Sequence, residues 1–385
     1  MSAACAAAPP PRLLFVVTED WYFRSHRLAL ACAARAAGYE VHVATRVDRD
    51  GGAIREAGID LHAVPFSRSA HRPWRDVATL VALARIYRHV QPDIVHHVAL
   101  KPVLLGSLAT LVAPRAAVIN AIAGLGFVYA SPGRFARLLK PIVAAGLRLV
   151  LRRPNAITLV QNDDDRAALV AGGLADPGRC AVIRGSGVDL ARFAPMRRPQ
   201  ERIPVVALVG RMLRDKGVEE FVEAARRLRA RGVRLHFRLV GDPDTENPAA
   251  IAHADLQRWH AQGIVEWLGR REDMPAVLAG ADIACLPSYR EGLPLALLEA
   301  AATGLPLVAT DVPGCRDVVI DGDNGLCVPP RDPEALANAL GRLAADPQLR
   351  ARMGERSVER ARAFALPAIV SQTLALYARV RGVAP

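Results

Sequence analysis

Short apolar, β-branched runs alternate with helical segments along almost the whole chain, and the alternation stops once and starts again. "RLLFVV" (12–17) is the first such run; the helical pattern "SHRLALACAARAAG" follows and ends at Gly38, before a second run, "YEVHVAT" (39–45). "GIDLHAVPF" (58–66), a long helix through residue 89, and "PDIVHHV" (92–98) continue it, with "AAVINAIAG" (116–124) and "AITLVQN" (156–162) beyond. Near residue 184 the pattern gives way to "RGSGVDLARFAPMRRPQERIP", rich in turn residues, prolines and charge, which reads as a linker. It then restarts: "VVALVG" (205–210), helix 217–231, "LHFRLVG" (235–241), helix 248–262, "IVEWLG" (264–269), "ADIACLP" (281–287), helix 294–303 and "LPLVATD" (305–311). Strands separated by single helices must lie parallel in one sheet, so the expectation is an α/β chain of two doubly wound, Rossmann-like halves. The boundaries expected are 1–185, 186–365 and a last helix from about 366 that crosses back to the first half. Ligands of such folds sit at the carboxyl ends of the strands, which makes a cleft between the halves the default site.

Composition narrows the classes. With 385 residues and 51% hydrophobic content, each half is large enough for its own core and disorder is excluded. A formal charge of +12 suits an anionic partner, such as a phosphorylated small molecule, an acidic membrane surface or nucleic acid. The six cysteines are scattered without a C-x-x-C pair, which reads as reduced thiols rather than a zinc or disulfide framework. The opening "MSAACAAAPPP" lacks the features of a signal peptide, and Pro114 and Arg115 break the best apolar run. The expectation is a cytoplasmic protein, at most peripheral on the inner face of the membrane.

"SYREGLPLALLEAAATGLP" (288–306) sets Glu291 and Glu299 eight positions apart in an apolar run. Buried carboxylates are costly unless paired. Pro294 suits the start of a helix that Gly304 stops, so Glu291 falls in the loop before it and Glu299 inside it, among apolar neighbours on every side. The backbone N–H groups of Gly292, Leu293 and Leu295, with the positive end of the helix dipole, form an anion site at the strand ends. A diphosphate fits there, with a ribose diol on one carboxylate and sugar hydroxyls on the other. The plain alternative is a solvated loop glutamate and a helix-surface glutamate. In "VALVGRMLRDKGVEEF" a strand ends at Gly210, and Arg211 and Lys216 flank the turn that follows. Two cations there suit a diphosphate, although ordinary surface charge reads the same way.

Together "GRMLRDKG", "EGLPLALLEA" with its E-x(7)-E spacing, "GLPLVATDVPGCRDVV" and "DGDNGLCVPPRDPEALANAL" resemble the retaining two-domain glycosyltransferases of family 4, which have the GT-B fold. The likeness is dense over 184–345 and weaker over 12–183. It implies that Arg211 and Lys216 neutralise the donor diphosphate, Glu299 binds the ribose and Glu291 touches the transferred sugar. It also implies transfer with retention by same-face attack, no metal and no cofactor. The donor it implies is a UDP-sugar, with a GDP-sugar as the alternative, and an N-acetylhexosamine as the sugar moved.

The first half is less explicit. In "TEDWYFRSHRLAL" (18–30) the glycine pair of many relatives is missing; Arg24, Ser25, His26 and Arg27 stand there to meet an anionic acceptor, or Ser25 simply caps a helix between exposed basic neighbours. Relatives place a histidine five residues after the aspartate of "PDIVHHVALKP"; here that position is Val98, so His97 is the candidate catalytic residue and His96 an acceptor-side one. Gly124 and Gly126 in "NAIAGLGFVY" allow close approach. "GRFARLLKPIVAAGLRLVLRRP" (133–154) sets Arg134, Arg137, Arg148 and Arg152 on one face and Phe135, Leu138, Ile142 and Leu149 on another. Such a helix lies on an anionic membrane or packs on its own domain. The pair "TEDWYFRSHR" and "VHHVALKP" resembles family members that act on polyprenyl-diphosphate-linked sugars in surface-polysaccharide assembly, such as O-antigen or capsule, which implies a lipid-linked sugar acceptor.

Rival classes fit less well. A metal-dependent GT-A transferase needs D-x-D, but Asp163 and Asp165 read as helix caps and "DGDNG" as a turn. An NAD-dependent oxidoreductase needs G-x-G-x-x-G after its first strand, which is absent. A nucleotide-sugar epimerase or hydrolase shares the donor site and stays open. A nucleic-acid-binding protein would explain the charge, but it has no motif and only 5% aromatic residues for stacking, so no nucleic-acid partner is expected.

Overall fold

The computed structural model describes residues 9–67, 73–124, 134–196 and 203–382, with the backbone only at 73 and 134–140. The chain divides into two compact units, one made of the residues up to Ile183 together with those from Val370, the other of Arg184–Ile369.

The first unit carries β1 (Arg12–Glu19), β2 (Glu40–Arg46), β3 (Asp60–Ala63), β4 (Ile94–Val98), β5 (Ala117–Ile122), β6 (Ala156–Val160) and β7 (Cys180–Val182). They pair in the order β3-β2-β1-β4-β5-β6-β7, every pair parallel. Leu13 through Val17 have no exposed surface, because β1 is central and both sheet faces are covered. The chain leaves β1 first toward β3, then crosses back and runs from β4 to β7. Right-handed crossovers therefore put the helices before β2 and β3 on one face, and those between β3 and β7 on the other. The helical pattern expected as one element is two, Asp20–His26 and Leu28–Ala36, broken at Arg27 where φ is −131°. β7 was not read from the sequence, where it sits in the short apolar run "CAVI".

The second unit carries β8 (Val205–Val209), β9 (His236–Val240), β10 (Glu266–Trp267), β11 (Ile283–Leu286), β12 (Leu307–Thr310) and β13 (Gly325–Val328), paired as β10-β9-β8-β11-β12-β13. Alternation along β8 sends Val206 and Leu208 into a core with Phe221 and Leu228 of the helix Val218–Ala230. Ala207 points the other way, into a core with Leu297, Leu298 and Ala301 of the helix Leu295–Ala302. Full burial of Leu297 and Leu298 stabilises this packing by about 1.5–3 kcal/mol each. The strand order reverses at β8, between β9 and β11, so the loops leaving β8 and β11 lie side by side at the carboxyl edge.

Cys32, Cys180, Cys285, Cys315 and Cys327 are free thiols. Among the described residues no helix is long and apolar enough to cross a membrane.

Candidate functional site

Glycine makes the junction of the two loops. Gly217 (φ 71°) ends the turn Arg214–Lys216 and opens the helix Val218–Ala230; a Cβ there would lie 2.1 Å from the Pro287 carbonyl oxygen. The Tyr289 N–H donates to the Asp215 carbonyl at 2.9 Å, locking the loop after β11 onto the loop after β8. On the far side the Glu291 N–H donates to the Pro313 carbonyl at 3.3 Å. Gly314 (φ 80°) has no room for a side chain: its Cβ would lie 2.5 Å from the Gly292 carbonyl oxygen. Three loops thus fix the backbone around Glu291.

The side chains then converge. Lys216 Nζ lies 2.5 Å from Glu291 Oε1, and the same oxygen accepts the Ser288 hydroxyl at 2.6 Å. Thr310 Oγ1 donates in turn to the Ser288 carbonyl. Both charged side chains are largely withdrawn from water, with 23% of Lys216 and 11% of Glu291 exposed. Their attraction is therefore less screened than that of a surface pair. Arg211 Nη1 pairs with Asp244 Oδ2 at 2.7 Å. At Gly210, just past β8, nothing lies within 4 Å of where a Cβ would sit, so that side of the residue is open space.

The helix Leu295–Ala302 begins after Pro294, whose side chain offers no cap, and the N–H groups of Leu293 and Leu295 donate no hydrogen bond within the protein among the described residues. That leaves donors and the helix dipole facing the strand ends. The expectation of a helix buried all round is corrected at Glu299. Leu295, Ala296 and Glu299 form a half-exposed stripe, while Leu297, Leu298 and Ala300–Ala302 are buried. Burial still dominates the Glu299 carboxyl, raising its pKa to about 7 against the opposing charge of Arg192. It has no hydrogen bond or ion pair within the protein among the described residues. A half-buried carboxyl without a partner is ready for hydroxyl donors.

Sequence reasoning missed Asp244, Ser288 and Arg192, and also the brace of Tyr289, whose hydroxyl donates to Glu220 at 2.6 Å beneath the Arg331 guanidinium, 4.3 Å from the ring centre. The linker motif "GVDLARF" contained Arg192, but its folding back toward Glu299 has no local signature.

In the first unit the two histidines are core residues, a correction to both expectations. Helices cover both faces of β4, so consecutive side chains are buried on opposite sides, and His96 and His97 have no exposed surface. His97 Nε2 lies 2.9 Å from the Tyr87 hydroxyl and Nδ1 2.8 Å from Asn120 Oδ1, so both ring nitrogens are taken. Burial lowers its pKa to about 4, the Asn120 bond opposing. His96 Nδ1 meets the Tyr377 hydroxyl at 2.6 Å, and burial holds its pKa well below the ordinary value. Neither ring presents an atom to the surface. Arg24 Nη1 pairs with Asp50 Oδ1 at 2.7 Å; His26 stacks on Tyr22 at 4.1 Å and bonds to Ser25 Oγ at 2.7 Å. Gly124 (φ 88°) follows β5; Gly126 lies outside the described residues. Asp163 and Asp165 stand in the first turn of their helix, and the cap is Asn162, whose side chain accepts the Asp165 N–H. The one group among the described residues that brings three metal-ligating atoms within 4.8 Å of one another is Glu40, His42 and Asp60 on β2 and β3. His42 there already bonds to Glu40 at 3.0 Å and to His62 at 3.2 Å.

Two parallel Rossmann-like sheets, with cations and a carboxylate at the switch point of the second, are an architecture of two nucleotide-binding-type domains. Residues 203–346 match the family described as "Glycosyl transferases group 1", and residues 12–161 match "Glycosyl transferase 4-like". The chain belongs to these group 1, family-4-like glycosyltransferases, and its fold is GT-B. It is 28% identical, over 89% of its own length and 91% of the relative's, to the N,N'-diacetylbacillosaminyl-diphospho-undecaprenol alpha-1,3-N-acetylgalactosaminyltransferase of Campylobacter jejuni. It is 27% identical, over 71% of each chain, to the UDP-Gal:alpha-D-GlcNAc-diphosphoundecaprenol alpha-1,3-galactosyltransferase of Escherichia coli. Among solved structures it resembles the sucrose-phosphate synthase of Thermosynechococcus elongatus, with a TM-score of 0.80, 22% identity, and 96% and 99% of the two chains covered.

Proposed function

We propose that this glycosyltransferase moves a hexose or N-acetylhexosamine from a UDP-sugar to a sugar carried on a polyprenyl diphosphate, with retention of configuration, at the cytoplasmic face of a membrane. The observation that carries the donor half is the Lys216–Glu291 pair beside the uncapped helix start at Leu295. The acceptor half draws on the two relatives whose names specify diphospho-undecaprenol sugars.

In this reading the diphosphate lies against Arg211, Lys216 and the N–H groups of Leu293 and Leu295, with Gly210 and Gly292 leaving room for it. These donors stabilise the charge that builds on the departing phosphate, each worth about 2.7–4 kcal/mol by comparison with other preorganised sites. Lys216 also fixes the Glu291 carboxylate, which accepts hydroxyls of the transferred sugar. Glu299 accepts the ribose diol, exchanging an unpaired carboxyl for one with two donors. The acceptor hydroxyl attacks the anomeric carbon on the face the diphosphate leaves, and its proton passes to the leaving phosphate oxygen. No step needs His97.

The test is mass spectrometry of lipid products after incubation with UDP-N-acetylgalactosamine, UDP-galactose or GDP-mannose and a short-chain polyprenyl diphosphate sugar. A lipid heavier by one hexose or N-acetylhexosamine residue, formed from a UDP-sugar, supports the reading. Free sugar or an epimerised nucleotide sugar, formed equally without acceptor, sinks it in favour of a hydrolase or epimerase.

A further inference from the structure

Three helices of the first unit, Pro73–Val90, Leu100–Ala109 and Arg134–Leu151, cover the same sheet face, since all three belong to crossovers running from β3 toward β6. The middle one packs against each of the others. Among the described residues, their outer surface carries several large apolar side chains. Trp74, Val77 and Val81 are 65%, 62% and 43% exposed, and the spacing of three and then four residues sets them on one line of the helix, which Arg85 and Arg88 continue. Leu111, in the turn packed against that helix, is 67% exposed. Ile142 and Leu149, seven residues apart on the third helix, are each 66% exposed, so these two members of the apolar stripe read there from sequence face outward instead of packing on their own domain.

The charge on these elements is one-sided. The sequence of the three helices holds eight Arg and Lys and a single acid, Asp76, which is paired to Lys101 Nζ at 2.7 Å. At the end of the Trp74 line, Arg88 also lines an open cavity of about 510 Å³ with Arg12, Arg115 and Arg381 and one acid, Asp93, whose carboxylate accepts the Arg12 backbone N–H at 2.7 Å. None of the Arg88, Arg115 and Arg381 guanidinium groups has an ion pair or hydrogen bond among the described residues. Apolar side chains beside unpaired cations complement an anionic lipid surface: the first enter the acyl boundary while the second meet phosphates. A protein partner of this chemistry would have to combine an apolar ridge with an excess of acid, whereas a bilayer supplies both in one plane.

We propose that this helix layer docks the protein on an anionic bilayer, with Trp74, Val77 and Val81 inserted and the Arg88, Arg115 and Arg381 cavity seating a lipid phosphate. The proposal rests on the lipid-linked acceptor named above.

The experiment is co-sedimentation of the full chain with vesicles of phosphatidylcholine alone or with roughly a quarter phosphatidylglycerol, because partition scales with apolar area and with attraction to anionic lipid. The wild type is expected on the anionic vesicles, with Trp74 emission shifting to the blue and Trp74→Phe removing the shift. The double variant Val77→Asp/Val81→Asp is expected to lower partition at least about tenfold, and Arg85→Gln/Arg88→Gln to abolish the preference for anionic lipid. All substituted positions are exposed, and thermal melts check that the variants fold. Equal partition of variant and wild type overturns the proposal. So does a dimer in sedimentation equilibrium that Val77→Asp breaks, which would give the face to a second copy. Stabilisation by UDP, measured on the same proteins without vesicles, tests the donor reading separately.

Discussion

Lys216 Nζ and Glu291 Oε1 meet at 2.5 Å across the junction between the loop that leaves β8 and the loop that leaves β11. The contact joins positions 75 residues apart, at the edge where the strand order reverses. In the proposed reading one cation serves two ligand groups, holding the carboxylate toward the sugar while its remaining protons face the diphosphate.

Removing either partner should damage turnover more than folding. Lys216→Met is expected to lower kcat by roughly 10²–10³, as for loss of one preorganised donor. Glu291→Gln keeps the shape and one acceptor oxygen, and is expected to lower kcat with nucleotide affinity held within about threefold, or roughly 0.7 kcal/mol. Steady-state kinetics with calorimetric UDP binding decides. A Glu291→Gln enzyme with normal kcat would remove that residue from the chemistry.

Glu299 gives a pH signature. Its pKa in the folded protein is raised from the ordinary 4.5 to about 7, so between those values the native state binds more protons than the unfolded chain. Stability attributable to this group is therefore highest below 4.5 and declines as pH rises toward and past 7. If Glu299 binds the ribose as proposed, nucleotide binding is expected to follow the opposite trend, because a diol donates better to the ionised carboxylate. Melting temperatures against pH for wild type and Glu299→Gln should converge at high acidity of the scan and diverge in favour of the variant above neutrality. Parallel curves would contradict the assignment.

Gly217 is expected to be the least replaceable of the loop glycines. An added Cβ would strike the Pro287 carbonyl oxygen at 2.1 Å, and φ is already 71°. Gly217→Ala should cost at least about 2 kcal/mol from left-handed backbone and overpacking together, with UDP binding lost alongside. Urea unfolding measures the first and calorimetry the second. Unchanged stability would mean that the two loops are not locked as described.

His97 should behave as a packing residue. Its pKa of about 4 lies below the ordinary 6.5, so the unfolded chain binds the extra proton between them. The stability it contributes is present above 6.5 and lost as pH falls toward 4. His97→Ala, which leaves Tyr87 and Asn120 without a buried partner, is expected to cost about 2–4 kcal/mol, with kcat of the folded fraction near wild type. A specific loss of kcat at unchanged stability would restore a catalytic role.

Much of the fold was legible because period and punctuation are local. Pro294 and Gly304 bracketed the glutamate helix to within a residue, and the restart at Val205 announced the second sheet. β7 and β13 were not, since each sits in an apolar run of only four residues, "CAVI" and "GLCV", whereas the two residues of β10 lie within the longer "IVEWLG". Of the candidate site, Lys216 and Glu291 were legible as residue types at strand ends, but not as partners, because pairing depends on how two loops cross. The histidines misled for a related reason. A sequence shows that His96 and His97 end a strand, but not that Tyr377, 281 positions away, and Tyr87 close over its two faces. Asp244 has no motif to mark it, and its bond to Arg211 appears only once β8 and β9 are adjacent.

The most direct test of the central claim is calorimetric titration of UDP into wild type, Lys216→Met and Glu299→Ala, in EDTA and at a pH above 7 where Glu299 is ionised. UDP at about 100 times its dissociation constant should also stabilise the wild type by about 2.7 kcal/mol. The expected result is a single site in the wild type, weakened at least about tenfold, or 1.4 kcal/mol, in each variant. UDP binding that both variants retain in full would place the nucleotide elsewhere and contradict the site built from Lys216, Glu291 and Glu299.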